Sequence, residues 1–365
     1  MKASELLVGI MSGTSLDGVD AVLADFSRHP WRLLHHFYQP YSNTLRGQML
    51  SLQHPNENEL HRAMLAANEV ARCYATTVNE LLAQTRRKAE QIRAIGCHGQ
   101  TVRHNPQQGY SVQLCNAALL AELCKISVVS DFRSRDIAAG GSGAPLVPAF
   151  HRALFPSRTA HRVIVNVGGI SNLTTLPRKG AYFGFDCGPG NMLLDAWCEV
   201  QTGQRFDADG AWAASGNIIP DLLKQLLGHP FFRQQPPKSC GREQFNLQWL
   251  NGFLSGKEAA RDVQATLLDL TVQSIAQAVS EHCPGAEEIY LCGGGARNRV
   301  LVEKLRQALP AIKTGVTDAL GINPQALEAY AFAWLAWQTL QGKPGNLPQT
   351  TGAKGERVLG AIYKK

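Results

Sequence analysis

The chain has 365 residues, 44% hydrophobic and 18% charged, with a formal net charge of +7. That length exceeds what one core usually serves, so two domains are expected. Apolar runs are too short to cross a bilayer, the longest (Ala117–Cys124 and 329–337) fitting buried helices, and the basic residues are dispersed, so neither membrane nor nucleic acid is an expected partner.

The opening MKASELLVGIM lacks the long apolar core and cleavage site of a leader, which makes the expected location cytoplasmic. LLVGIM (6–11) and VDAVLA (19–24) flank SGTSLDG (12–18), a strand–turn–strand pattern that predicts a hairpin. A helix is predicted over 59–85, then a strand over 92–97 running into His98-Gly99-Gln100-Thr101. Helix 117–124 and strand 126–130 follow, the strand ending at Asp131. AGGSGAP (139–145) is the predicted domain crossing, giving a first domain of 1–138, rejoined by 340–365, and a second of 139–339. VIVNV (163–167) and LTTL (173–176) flank GGISN (168–172), repeating the first hairpin's layout about 155 residues later and pointing to duplicated halves. FGFDCGPGN (183–191) sets Asp186 at a strand end before a helix, and 234–243, with Pro236, Pro237 and Gly241, reads as a loop. Leu268, Val272, Ile275 and Val279 step by helical spacing up to Pro284-Gly285. A strand over 288–292, a Gly293-Gly294-Gly295 turn and a helix over 298–309 complete an α/β pattern. Nine cysteines, an odd number with no CxxC pair, suit reduced thiols rather than a disulfide frame or zinc site.

The chemistry concentrates in the loops. In SGTSLDGVD, small residues would let backbone N–H groups approach a phosphate, with the hydroxyls of Ser12, Thr14 and Ser15 as further donors. Asp17 beside a phosphate suits a Mg²⁺ partner acting through water. The same residues also satisfy turn geometry alone. The 168–172 loop repeats this donor chemistry, and the 293–295 turn offers a glycine surface for adenine or ribose, or is a plain βα turn. No GxxxxGK[ST] and no GxGxxG after the first strand occur, against P-loop and dinucleotide readings. Asp186 could act as general base or cap the following turn. Asp131, among Arg133, Arg135 and Asp136, is expected to be held in an ion pair.

The ordered series SGTSLDGVDAVL, CHGQTVRHNP, DFRSRDIAAGGSGAPLVPAFH, NVGGISNLT, FDCGPGNMLLDAW, PPKSCGREQFN and CGGGARN resembles the anhydro-N-acetylmuramic acid kinases, within the hexokinase/actin/heat-shock ATPase superfamily. The resemblance implies two RNase H-like (actin/hexokinase-type) α/β domains with ATP and Mg²⁺ in the cleft between them, a homodimer, and a part in cell-wall recycling. It implies Asp186 as catalytic base. ATP would be bound by Gly13, Thr14, Ser15, Leu16, Asp17, Gly18, Val19, Asp20, Gly168, Gly169, Gly293, Gly294, Gly295 and Asn298. The anhydro amino sugar would meet His98, Gln100, Thr101, Asp131, Arg133 and Glu328, an arginine holding its lactyl carboxylate. A structural His at a turn and a helix N-terminal acid remain alternatives for His98 and Glu328. Cys187 and Cys240 stand where the family commonly has Thr, and Ser142 where it has Gln. The implied reaction joins opening of the 1,6-anhydro bond to phosphorylation at O6. A kinase for an ordinary hydroxyl-bearing amino sugar, or an ATP-gated binding protein, are the alternatives.

Overall fold

The computed structural model describes residues 5–365; Met1, Lys2, Ala3 and Ser4, part of the stretch read as lacking a leader, lie outside them. Two compact units emerge: one runs to Leu154 and resumes with Ala326–Lys365, the other is Phe155–Gln325.

In the first unit, LLVGIM forms β1 (Leu6–Met11), whose apolar side chains are nearly all buried. It pairs antiparallel with β2 (Gly18–Asp25), which pairs antiparallel with β3 (Arg32–Pro40). On its other edge β1 runs parallel to β4 (Ala94–Cys97), and β4 parallel to β7 (Val128–Ser130). The hairpin β5 (Gln100–Asn105) and β6 (Tyr110–Leu114) stands apart. The helix Glu59–Gln84 buries Val70, Ala71, Tyr74, Val78 and Leu81, a helical stripe, in the core that also holds Val8, Ile10 and Ile95.

The apolar helix Leu327–Leu340 belongs to this unit, not to the second as the sequence boundaries placed it. Glycines decide where it fits. A Cβ on Gly9 would stand 1.9 Å from Ala329 O, and one on Gly96 2.0 Å from Phe332 O, so the helix backbone lies directly on β1 and β4. The 139–145 stretch is likewise internal to the first unit and not the crossing. It is tied to the C-terminal segment through buried Asp136, which accepts from Gly143 N–H (2.8 Å), Asn346 Nδ2 (2.7 Å) and Thr351 Oγ1 (2.8 Å).

The second unit repeats the order with different residues. β8 (Arg162–Val167), β9 (Ile170–Leu176) and β10 (Phe183–Pro189) form an antiparallel meander. β8 then runs parallel to β11 (Glu288–Cys292), and β11 to β12 (Lys313–Val316). The helix Ala260–His282 buries Leu268, Val272, Ile275 and Val279, the residues whose spacing announced it. The sheets read β3-β2-β1-β4-β7 and β10-β9-β8-β11-β12, the first extended by antiparallel β13 (Ala361–Tyr363). A third–second–first–fourth–fifth order with an antiparallel second strand in both units is a duplicated RNase H-like α/β fold.

Candidate active site

The β1–β2 turn is shaped by side chains reaching in from elsewhere. Leu16 N–H closes onto Gly13 O (3.3 Å), with Leu16 itself buried at φ 58°. Gly13 O also accepts from Nε2 of the fully buried Gln100 (3.1 Å), whose Oε1 receives the Tyr41 hydroxyl (3.4 Å). Ser12 is buried, its hydroxyl bonded to that of Tyr74, so it is not the outward phosphate donor expected of it. Ser15 Oγ donates to Asp17 Oδ1 (2.7 Å), which also receives Gly18 N–H (3.0 Å), leaving Asp17 exposed but fixed. Gly18 is demanded by packing, since a Cβ would lie 2.5 Å from Gln39 O. Val19 is buried in β2, and Asp20 faces His36 Nε2 at 2.7 Å across the β2–β3 pair.

The β8–β9 turn is tighter than the five-residue loop expected: only Gly168 and Gly169 separate the strands, and Ser171 and Asn172 already pair with Val167 and Asn166. Main-chain donors hold both of its glycine carbonyls, and Asn191 Nδ2 adds a bond to Val167 O (3.1 Å). Gly190 and Met192 N–H donate to Gly169 O (2.9 and 3.1 Å), and Asn191 N–H to Gly168 O (2.8 Å). The amide donors opening the helix Met192–Thr202 are thus partly taken up by the turn's carbonyls. Gly190 must be glycine, because a Cβ would meet Gly168 O at 2.3 Å.

At the end of β11, Gly293 (φ 77°) and Gly295 pack against Asn166 and Val167, where Cβ atoms would approach to 2.3 Å. Asn298 caps the helix Arg299–Ala308 through Leu301 N–H (3.0 Å). Three loop glycines differ from these. A Cβ at Gly13, Gly168 or Gly294 would find nothing closer than 3.8, 3.6 and 3.5 Å, and none has a positive φ. The fold does not require glycine there. A ligand that must approach the backbone closely would.

Asp186 lies in β10, 8% exposed, opposite Asn172. A bulge between Asp186 and Gly188 re-aims the strand, and Gly188 (φ 147°) leaves no room for a Cβ, which would meet Phe232 at 2.7 Å. The 234–243 loop grips the aspartate twice: Lys238 O accepts Asp186 N–H (3.1 Å), and Cys240 N–H donates to Asp186 Oδ2 (3.0 Å). Lys238 and the N–H of Cys240 are site features that the motif alone did not reveal. Because the backbone of Cys240 makes this bond, a thiol in place of a hydroxyl does not affect it. The Cys187 thiol is buried, and burial holds it well above the usual thiol range. Ser142 spends its hydroxyl on Ala144 O (2.6 Å), and all nine cysteines are free.

The residues expected around the sugar split into two groups. His98 is buried, and Arg133 donates to its Nε2 through Nη2 (2.8 Å) and Nε (3.2 Å), while Nη1 reaches Gly143 O (2.7 Å). Burial and the guanidinium keep His98 well below the usual imidazole range, so it is a neutral acceptor. Asp131, exposed at φ 60°, accepts from Ser134 N–H (3.4 Å) while Arg133 turns to His98, so the expected ion pair gives way to a local turn. Thr101 Oγ1 accepts from Gln113 Nε2 (3.2 Å), and Glu328 sits half-buried in the first turn of its helix. Gln100 supports the β1–β2 turn rather than standing apart as a sugar contact.

The model of the anhydro-N-acetylmuramic acid kinase family matches residues 5–365. The chain belongs to the anhydro-N-acetylmuramic acid kinase family. An anhydro-N-acetylmuramic acid kinase of Nitrosospira multiformis is 58% identical over 365 residues, covering 100% of both chains. One of Nitrosomonas europaea is 56% identical, covering 98% of this chain and 99% of its own. One of Thiobacillus denitrificans is 54% identical, covering 99% and 97%. The protein is therefore a sugar kinase, a phosphotransferase. Among the described residues no group of three or more His, Cys, Asp or Glu could hold a metal unaided. Nucleotide-borne Mg²⁺ needs only one or two carboxylates beside phosphate oxygens and water, and Asp17 fits that demand.

Proposed function

We propose that this kinase converts 1,6-anhydro-N-acetylmuramic acid, ATP and water into N-acetylmuramic acid 6-phosphate and ADP, in the cytoplasm, as a homodimer serving murein recycling. The observation that carries the mechanism is the rigid link between Asp186 and the β8–β9 turn. Asp186 stands four residues before Gly190, whose N–H clamps that turn, and its own carboxylate is held by Cys240 N–H. A base and a phosphate turn joined by main-chain bonds within one antiparallel meander stay in fixed register.

The anhydro sugar has no free 6-hydroxyl to deprotonate. Asp186 takes a proton from water as the water oxygen bonds to C1; the C1–O6 bond breaks, and O6 attacks the γ-phosphorus as ADP leaves. General-base help of this kind contributes about 10²–10⁴-fold. Backbone N–H donors at glycine turns stabilise phosphate oxygens, the main device in phosphoryl transfer, and the 12–18 and 168–169 turns are each proposed to bind ATP phosphate. Mg²⁺, beside Asp17, would offset charge on the phosphates. Neutral His98, held by Arg133, and half-buried Glu328 are the proposed sugar contacts. The adenosine lies against Gly294. Incubation with MgATP and the anhydro sugar should yield a phosphosugar and ADP in equal amounts. A phosphosugar from open amino sugars alone, or ADP without any phosphosugar, would overturn the assignment.

A further inference from the structure

Lys238 presents a cation in an unusual place. The residue is 9% exposed, and its Nζ lies 3.4 Å from both Phe231 O and Phe232 O. The ammonium sits 4.8 Å from the Phe231 ring centre and 5.6 Å from that of Phe185. Its direct partners are therefore carbonyl oxygens and ring faces, with no carboxylate in salt-bridge contact among the described residues. Taking an ammonium out of water into such a box costs stability, and an apolar residue of similar length would fill the space more cheaply. Burial correspondingly pulls the lysine below its usual range.

The same residue adjoins the base along the chain. Through its backbone it accepts Asp186 N–H, and two residues on, Cys240 N–H holds Asp186 Oδ2. Through its side chain it packs on Phe185, the neighbour of Asp186 in β10.

We propose that Lys238 is a positioning residue for the reaction: its ammonium, held on Phe231 O and Phe232 O, anchors the 238–240 segment so that Cys240 N–H orients the Asp186 carboxylate. This rests on the reading of Asp186 as base.

The test is Lys238→Met beside Lys238→Arg and Asp186→Asn, in the full-length protein with MgATP and the anhydro sugar. Met matches the length, and its sulfur suits an aromatic box, so its Tm should equal or exceed wild type. Its kcat at pH 7 should fall about 10-fold, less than the 10²–10⁴-fold that a general base supplies. KM for ATP should change by less than about 3-fold. Lys238→Arg, which can still donate to the two carbonyls, should restore most of the lost kcat. A kcat in Lys238→Met that is kept, or that falls only with the folded fraction, would overturn the proposal. If Asp186→Asn is inactive while Lys238→Met behaves as wild type, only the lysine's role fails. If Asp186→Asn keeps more than about a hundredth of turnover, the base reading fails first and takes the lysine's role with it.

Discussion

The two hairpin turns, β1–β2 in the first unit and β8–β9 in the second, occupy the same place in sheets of the same order, yet they are held by different means. Residues 12–17 take their shape from side chains: Gln100 on Gly13 O, Tyr74 on Ser12, Ser15 on Asp17. Gly168 and Gly169 take theirs from main chain, the N–H groups of residues 190–192. The third strands differ too. β3, RLLHHFYQP, has no carboxylate, whereas β10, FGFDCGP, carries Asp186. Both halves carry a glycine turn at the same place, and in the second that turn is tied to β10, which holds the proposed base Asp186. Changes in the first turn should therefore act on nucleotide binding, and changes in the second turn and β10 on chemistry as well.

The largest effect falls on that asymmetry. Asp186→Asn keeps the shape and the Cys240 N–H acceptor but cannot take a proton. Turnover should drop more than about 100-fold with ATP affinity retained, read by steady-state kinetics and calorimetry. Equal losses of turnover and affinity would mean the second unit merely binds.

Next come Gly13→Val and Gly168→Val. Both positions have room in the ligand-free chain, so both variants should keep wild-type Tm while ATP affinity falls about 10-fold or more, the size of a 1–3 kcal/mol steric penalty. An unchanged Kd in both folded variants would remove the phosphate role from the turns.

The smallest expected effect separates side-chain from main-chain support. Gln100→Leu removes one bond to Gly13 O, worth about 1 kcal/mol, and should raise KM for ATP about 5-fold with kcat nearly kept. A larger loss of kcat than of affinity would place Gln100 on the sugar instead.

Much of this was legible from local pattern. Both hairpins, the helix at 59–84 and the helix ending near Pro284 announce themselves by periodicity and turn residues, because neighbours in sequence determine them. The place of the helix Leu327–Leu340 was not legible. It depends on the missing Cβ atoms of Gly9 and Gly96, more than 200 residues away. The 139–145 glycines read as a crossing, since nothing local reveals that Asp136 ties them to Asn346 and Thr351. The hydroxyl of Ser12 looked available until Tyr74 claimed it, and Arg133 looked like an ion-pair partner of Asp131 until its fork closed on His98. Long-range partners rewrite side-chain roles more readily than they rewrite strands.

The central claim, that water activated by Asp186 opens the anhydro ring while O6 takes the phosphate, is tested most directly by running the reaction in ¹⁸O-water. Quenching before anomeric exchange and locating the label by mass spectrometry reads out which bond water formed. The account predicts solvent oxygen in the C1 hydroxyl and none in the bridging ester oxygen, which is the sugar's original O6. Label absent from C1, or a phosphosugar formed from the open sugar but never from the anhydro form, would contradict it.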